Sequence, residues 1–196
     1  MPLVKGQYPV VSDEALRNGL TIADSGNAPI RSTFNRTTPT TDVAAALTTQ
    51  VMLSVGIPLQ DGDIVTKIAV QFGGTAADTP TNWWFALYDT STTPALLGQT
   101  ADQTTGAIAA NSVKDLALTT PYQVEKAGLY YVGIMVKATT VPSVVCSVLA
   151  NASSSTGLIT GQKRLAQTSG SSLTTTAPAT IATPTAVVNV PLVVVH

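Results

Sequence analysis

Charged side chains are scarce in this sequence of 196 residues. Lysine and arginine together number 10 and aspartate and glutamate 11, so charged residues make up 11% of the chain. An average soluble domain carries about 25%. The densest basic stretch is the pair Lys163 and Arg164, which is too short to follow a phosphate backbone, so we expect no binding to nucleic acid. So few surface charges suit a protein that packs against copies of itself or against a large partner.

Cysteine and histidine are almost absent as well. The only cysteine, Cys146, lies in an apolar run, where it is expected to act as a small hydrophobic side chain. The only histidine, His196, is the last residue, so no Ser-His-Asp or Cys-His set can be assembled. Asp61 and Asp63 could approach a calcium ion, but further EF-hand ligands are missing and a tight turn explains them equally well. The sequence therefore predicts no enzyme and no resident metal or cofactor.

Long apolar runs are also lacking. No stretch reaches the roughly 18 apolar residues that a membrane-spanning helix needs. Residues 1–7 do not contain the apolar core of a secretory signal peptide. We therefore expect neither a membrane location nor secretion.

The residues that are abundant favour strands. About one residue in six is threonine, and β-branched residues are enriched in β-sheets. Residues 64–72 and 129–137 alternate with a period of two, as half-buried strands do. The residues expected to share one face are Ile64, Thr66, Ile68, Val70 and Phe72 in the first stretch, and Tyr130, Val132, Ile134 and Val136 in the second.

The composition divides the chain into three parts. Residues 1–41 are rich in proline and glycine and are expected to form an extended N-terminal arm, with one short helix at residues 13–17. Residues 42–150 carry the strand patterns and are expected to form the core. Residues 151–196 are a threonine- and serine-rich extension, for which disorder is the default expectation up to residue 184. The apolar end of this extension, residues 187–195, predicts a final strand, placed by Pro191 at a sheet edge or at a bulge.

Many short strands separated by turns every 8 to about 12 residues, without βαβ alternation, predict the fold class. We expect an all-β protein with a β-sandwich or jelly-roll-like domain, an extended N-terminal arm and a C-terminal strand.

Two adjacent tryptophans are the strongest candidates for a site. Neighbouring residues on a strand point to opposite faces, so one ring should enter the core while the other faces outward. Trp83 shares its face with Phe85 and Leu87 and is the better core residue. Trp84 shares its face with Tyr88, and this pair could stack on a sugar ring or pack under a loop or at an interface between subunits.

The order of the strand motifs resembles a known class of proteins. The motifs are NWWFALYD at residues 82–89, LLGQT at 96–100 and AGLYYVGI at 127–134. Between residues 47 and 150 the chain resembles small β-sandwich virion proteins of tailed phages, particularly those infecting actinobacteria. The same pattern also looks like carbohydrate-binding and other jelly-roll modules, so no functional residue is carried over by position.

The resemblance implies two roles. The first is a capsid decoration protein, a homo-oligomer that binds the major capsid protein or other virion proteins. The second is a tail or fibre module that binds a glycan on the host surface. Both place the protein in the virion, assembled in the host cytoplasm. The decoration role is preferred, because the long arm and the apolar tail suit contacts with the lattice or a neighbouring copy.

Overall fold

A computed structural model describes residues 31–35 and 38–196, and this part of the chain is an all-β fold of antiparallel sheets. The helix expected at residues 13–17 and the arm up to residue 30 lie outside the described residues. The described strands are β1 (Arg31–Ser32), β2 (Thr41–Val43), β3 (Met52–Leu59), β4 (Ile64–Gln71), β5 (Asn82–Tyr88), β6 (Leu96–Gln99), β7 (Val113–Gln123), β8 (Gly128–Lys137), β9 (Val144–Val148), β10 (Ala166–Ser169), β11 (Thr185–Ala186), β12 (Asn189–Pro191) and β13 (Val193–Val195). One short helix, α1 (Ala152–Thr156), lies between β9 and β10, with Asn151 as its N-cap.

The strands form two facing layers. One layer is a six-stranded sheet in the order β11-β10-β3-β8-β5-β6. The other combines a four-stranded sheet, β1-β13-β4-β7, with a three-stranded sheet, β12-β9-β2. These two are joined by a bridge between Phe72 and Val144 and by the passage of the chain from β12 into β13. The main apolar core draws on all three sheets and therefore lies between the layers.

The pattern of β8 is confirmed, because all four of its predicted inward residues belong to the main core. Strand β4 differs from its prediction at one end. Thr66 and Lys67 both donate their backbone N–H groups to the carbonyl of His196, at 2.8 and 2.7 Å, which creates a bulge. The extra residue exchanges the inward and outward faces in the part of β4 that precedes the bulge. Val65 is therefore buried, and Ile64 is 50% exposed.

Strand β3 runs unbroken through Gly56 and Pro58, although glycine and proline weaken or end many strands. The N–H of Gly56 donates to the carbonyl of Leu165, the residue just before β10. Two residues later the nitrogen of Pro58 points to the same side. Pairing with β10 covers only Met52 to Val55, so β10 does not extend to a position opposite Pro58. The N–H group that proline lacks would therefore have had no strand to bond to.

The extension beyond residue 150 is part of the same core. Ala166, Val190, Val193 and Val195 all belong to the main apolar cluster, so a boundary at residue 150 does not separate a core from an appendage. The stretch expected to be disordered supplies β10, which pairs with β3 in the six-stranded sheet. This stretch forms a strand because the open edge of β3 supplies hydrogen-bond partners for its backbone. The composition of the stretch itself does not reveal those partners.

The C-terminal strand is present in two pieces that meet at Pro191. β12 is an edge strand paired with β9, which suits the missing donor of Pro191. β13 lies between β1 and β4 inside the four-stranded sheet.

Candidate functional site

Trp83 and Trp84 lie on opposite faces of the six-stranded sheet. Trp83 belongs to the main core between the layers and donates its indole N–H to the carbonyl of Gly106 at 2.7 Å. Trp84 points to the outer face, yet it has no exposed surface. Its indole N–H donates to the carbonyl of Thr174 at 2.7 Å.

A stretch of the extension lies over this outer face. We call residues 171–183 the covering segment. Under it is a second apolar cluster, separate from the main core, whose buried members are Met52, Trp84, Ala86, Tyr88, Tyr131, Met135, Ala177 and Ile181. Tyr88 is fully buried there and donates its hydroxyl to the carbonyl of Pro178 at 2.9 Å. Burial raises the pKa of Tyr88 well above its ordinary value.

The covering segment is held by backbone hydrogen bonds at both ends. At one end the N–H of Leu173 donates to the carbonyl of Gln50 at 3.0 Å. At the other, the N–H of Leu96 donates to the carbonyl of Ala179, and that of Ile181 to the carbonyl of Pro94. A sugar could therefore stack on Trp84 or Tyr88 only after the segment had been displaced.

No known protein family has a model that matches this sequence, and no curated protein matches it. The function of this surface is therefore inferred from its own geometry. Within residues 31–35 and 38–196, no group of three or more His, Cys, Asp or Glu side chains is placed to hold a metal ion, and no helix is long and apolar enough to cross a membrane. Of the two aspartates singled out in the sequence, Asp63 pairs with Arg31 at 3.4 Å and accepts a hydrogen bond from the N–H of Gln60.

Cys146 is fully buried in the main core. Burial, with a smaller effect from the charge of Asp42, raises the pKa of its thiol to about 12. Since the thiolate is the reactive form, this cysteine serves as a packed apolar side chain.

An open cleft of about 370 Å³ lies beside the covering segment, on the same outer face. Tyr131 and Gln167, from β8 and β10, form its floor. Its walls come from the turn after β5, from the loop before β10 and from Pro184. We call this the basic cleft, because Lys163 and Arg164 line it.

Lys163 and Arg164 connect the walls of the cleft by hydrogen bonds. Lys163 donates its ammonium group to the carbonyl of Thr90, and Arg164 donates from Nη1 to the carbonyl of Pro184 at 3.0 Å. Burial, reinforced by the charge of Lys126 and opposed by that of Asp89, lowers the pKa of Lys163. In the sequence, Lys163 and Arg164 stand out only as an adjacent basic pair. Gln167 does not stand out at all, because no sequence motif distinguishes it from a surface glutamine.

An exposed apolar turn follows α1. Leu158 is 84% exposed and Ile159 75% exposed, the highest values among the large apolar side chains that the structure describes. Hydrogen bonds close this turn: the N–H of Leu158 donates to the side-chain oxygen of Gln162 at 2.7 Å. The N–H of Gln162 in turn donates to the carbonyl of Ile159 at 3.2 Å. Two apolar side chains are thus presented to solvent on a formed turn, which we call the apolar turn.

Proposed function

We propose that this chain is a structural protein of a phage virion, a capsid decoration protein that binds the head lattice. The observation that carries the proposal is the apolar turn at Leu158 and Ile159. Single exposed apolar residues are ordinary on protein surfaces, but two adjacent ones on a hydrogen-bonded turn favour contact with another protein. The scarcity of charge in the sequence supports the same role, because it leaves few ions to desolvate when a large surface is covered.

The all-β fold agrees with this role without deciding it, since sandwiches serve many functions. The second role that the resemblance implies, a tail module binding a host glycan, would use an exposed aromatic face. Trp84 and Tyr88 lie beneath the covering segment instead, so the decoration role is the better supported of the two.

The test is co-sedimentation with capsids of the phage that encodes the protein. The double variant Leu158→Ser/Ile159→Ser should bind at least about tenfold more weakly, since the lost apolar contacts are worth more than about 1.4 kcal/mol. Val113→Ser is the matched control, because Val113 is 59% exposed on β7. It should bind as the unaltered protein does, and all three proteins should melt at closely similar temperatures.

Failure of the unaltered protein to sediment with capsids would contradict the proposal. If it bound a host cell-wall polysaccharide instead, the tail-module role would replace it. The part played by the N-terminal arm is tested by deleting residues 1–30. The deletion stops before Arg31 because β1 begins there and pairs with β13.

A further inference from the structure

The floor of the basic cleft includes a glutamine whose side-chain amide has no hydrogen-bond partner within the described part of the protein. On β10, Ala166 belongs to the main core, so the next residue, Gln167, points to the outer face. Gln167 is only 3% exposed and lines the cleft floor. Among the described residues, no group hydrogen bonds to its side-chain amide. The amide atoms are not among the fully enclosed polar atoms that lack a partner, so they reach the open cleft, where a ligand can meet them.

The two cations of the cleft have no described carboxylate at ion-pair distance, and the charge of Asp89 offsets that of Lys163 only from further away. The groups that Lys163 and Arg164 contact are backbone carbonyls, and within the described chain neither residue forms an ion pair with a carboxylate. The nearby Asp89 uses its Oδ1 to accept from the N–H and hydroxyl of Ser91 and from the N–H of Ala95. Two cations at the rim therefore remain available to an anionic ligand.

The remaining lining indicates what kind of anion fits. The amide of Gln167 offers two donors and one acceptor, and the hydroxyl groups of Ser91, Thr92 and Thr156 surround the same space. An anion without hydroxyl groups only accepts hydrogen bonds and would leave the carbonyl of Gln167 without a donor. Sugar hydroxyls both donate and accept, and so complement amides and hydroxyls together. The volume of about 370 Å³ lies in the range of small-molecule sites, about 300 to 1,000 Å³.

We propose that the basic cleft binds an acidic saccharide, with the carboxylate of the sugar at Lys163 and Arg164 and its hydroxyls at Gln167. This site is distinct from the buried pair Trp84 and Tyr88, because it is open to solvent beside the covering segment. The inference does not rest on the proposed role in the virion. A decoration protein carrying this site would hold charged glycan at the particle surface.

The test is a titration of the full-length, ¹⁵N-labelled protein with sodium glucuronate, followed by NMR. Saturable shifts are expected in the side-chain amide of Gln167 and in the backbone of residues 162–164. Glucose is the control without charge, and sodium acetate, a carboxylate without hydroxyl groups, is the control with the same charge. Both should bind at least about tenfold more weakly than glucuronate, because each satisfies only part of the lining.

Two variants test the assigned residues. Gln167→Met keeps the length and burial of the side chain but removes its polar atoms, and Lys163→Gln removes charge at the rim. Each should weaken glucuronate binding by about tenfold. Gln123→Met, an exposed position on β7 in the opposite sheet, should change nothing.

The result that overturns the proposal is the absence of saturable shifts with glucuronate. Equal affinity for acetate would overturn the saccharide assignment, and equal affinity for glucose would overturn the role of the cations. Unchanged binding by a folded Gln167→Met or by Lys163→Gln would remove that residue from the site.

Discussion

Asp89 follows the last residue of β5, and its carboxylate organises the turn that forms one wall of the basic cleft. Burial by itself would raise the pKa of Asp89. Hydrogen bonds from Ser91 and Ala95, together with the charge of Lys163, outweigh that effect and lower the pKa below its ordinary value. At the scale of a residue, the fold therefore favours the ionised form of this side chain.

This shift predicts how stability depends on pH. As the pH falls, the unfolded chain takes up its proton on Asp89 first, at about pH 4. The contribution of Asp89 is therefore present above that pH and is lost as the pH falls through the lower, folded-state pKa. In urea unfolding measured across this range, Asp89→Asn should be less stable at neutral pH and should lose less stability on acidification. Ser91→Ala removes a donor and should show part of the effect. Identical pH profiles for Asp89→Asn and the unaltered protein would refute this account.

The covering segment is an element without regular secondary structure, fixed by side chains beneath it and by backbone hydrogen bonds at its ends. The hydroxyl of Tyr88 is one of these anchors, through the carbonyl of Pro178. A segment held by a few such bonds can open without unfolding of the whole domain.

Tyr88→Phe should therefore loosen the covering segment selectively. The loss of one buried hydrogen bond should cost about 1 kcal/mol, and amide exchange at Leu173 and Ile181 should become faster. Tyr130→Phe is the matched control, because the hydroxyl of Tyr130 donates to the carbonyl of Lys126 at 2.8 Å from the main core. The control should lose similar stability while exchange at those two amides changes little. Equal acceleration in both variants would mean that the segment does not open on its own.

At the scale of the whole molecule, the two tryptophans lie in different apolar clusters. Trp83 lies in the main core between the sheets, and Trp84 lies in the outer cluster under the covering segment. Both sit on β5, which pairs with β8 through Lys137 to Tyr131. The two clusters thus share a central strand and should unfold together.

Single-tryptophan variants test this cooperativity. Trp83→Phe leaves fluorescence only from the outer cluster, and Trp84→Phe leaves it only from the main core. In each variant, fluorescence and far-UV circular dichroism should follow one urea transition, as two-state domains do. Each substitution removes an indole hydrogen bond and some packing, so both midpoints should fall below that of the unaltered protein. An earlier fluorescence transition in Trp83→Phe alone would show that the outer cluster melts separately.

Local pattern was enough to identify the all-β class. Alternation with a period of two depends only on neighbouring residues, and it placed β8 and the inward residues Ile68, Val70 and Phe72. The opposite faces of Trp83 and Trp84 follow from the same geometry. The sequence also indicated that residues 187–195 end the chain as a strand, because so apolar a stretch needs a partner.

Tertiary structure decided the features that depend on distant partners. The bulge at Thr66 exists because the N–H groups of Thr66 and Lys67 share the carbonyl of His196, a residue that is 130 positions from Thr66 along the chain. The serine- and threonine-rich stretch is ordered because an open edge of β3 and an apolar outer face receive it. The basic cleft exists only where β8, β10 and two turns meet. Composition indicates which secondary structure a segment favours in isolation. The backbone partners of β10 and the burial of Gln167 arise only when the sheets assemble.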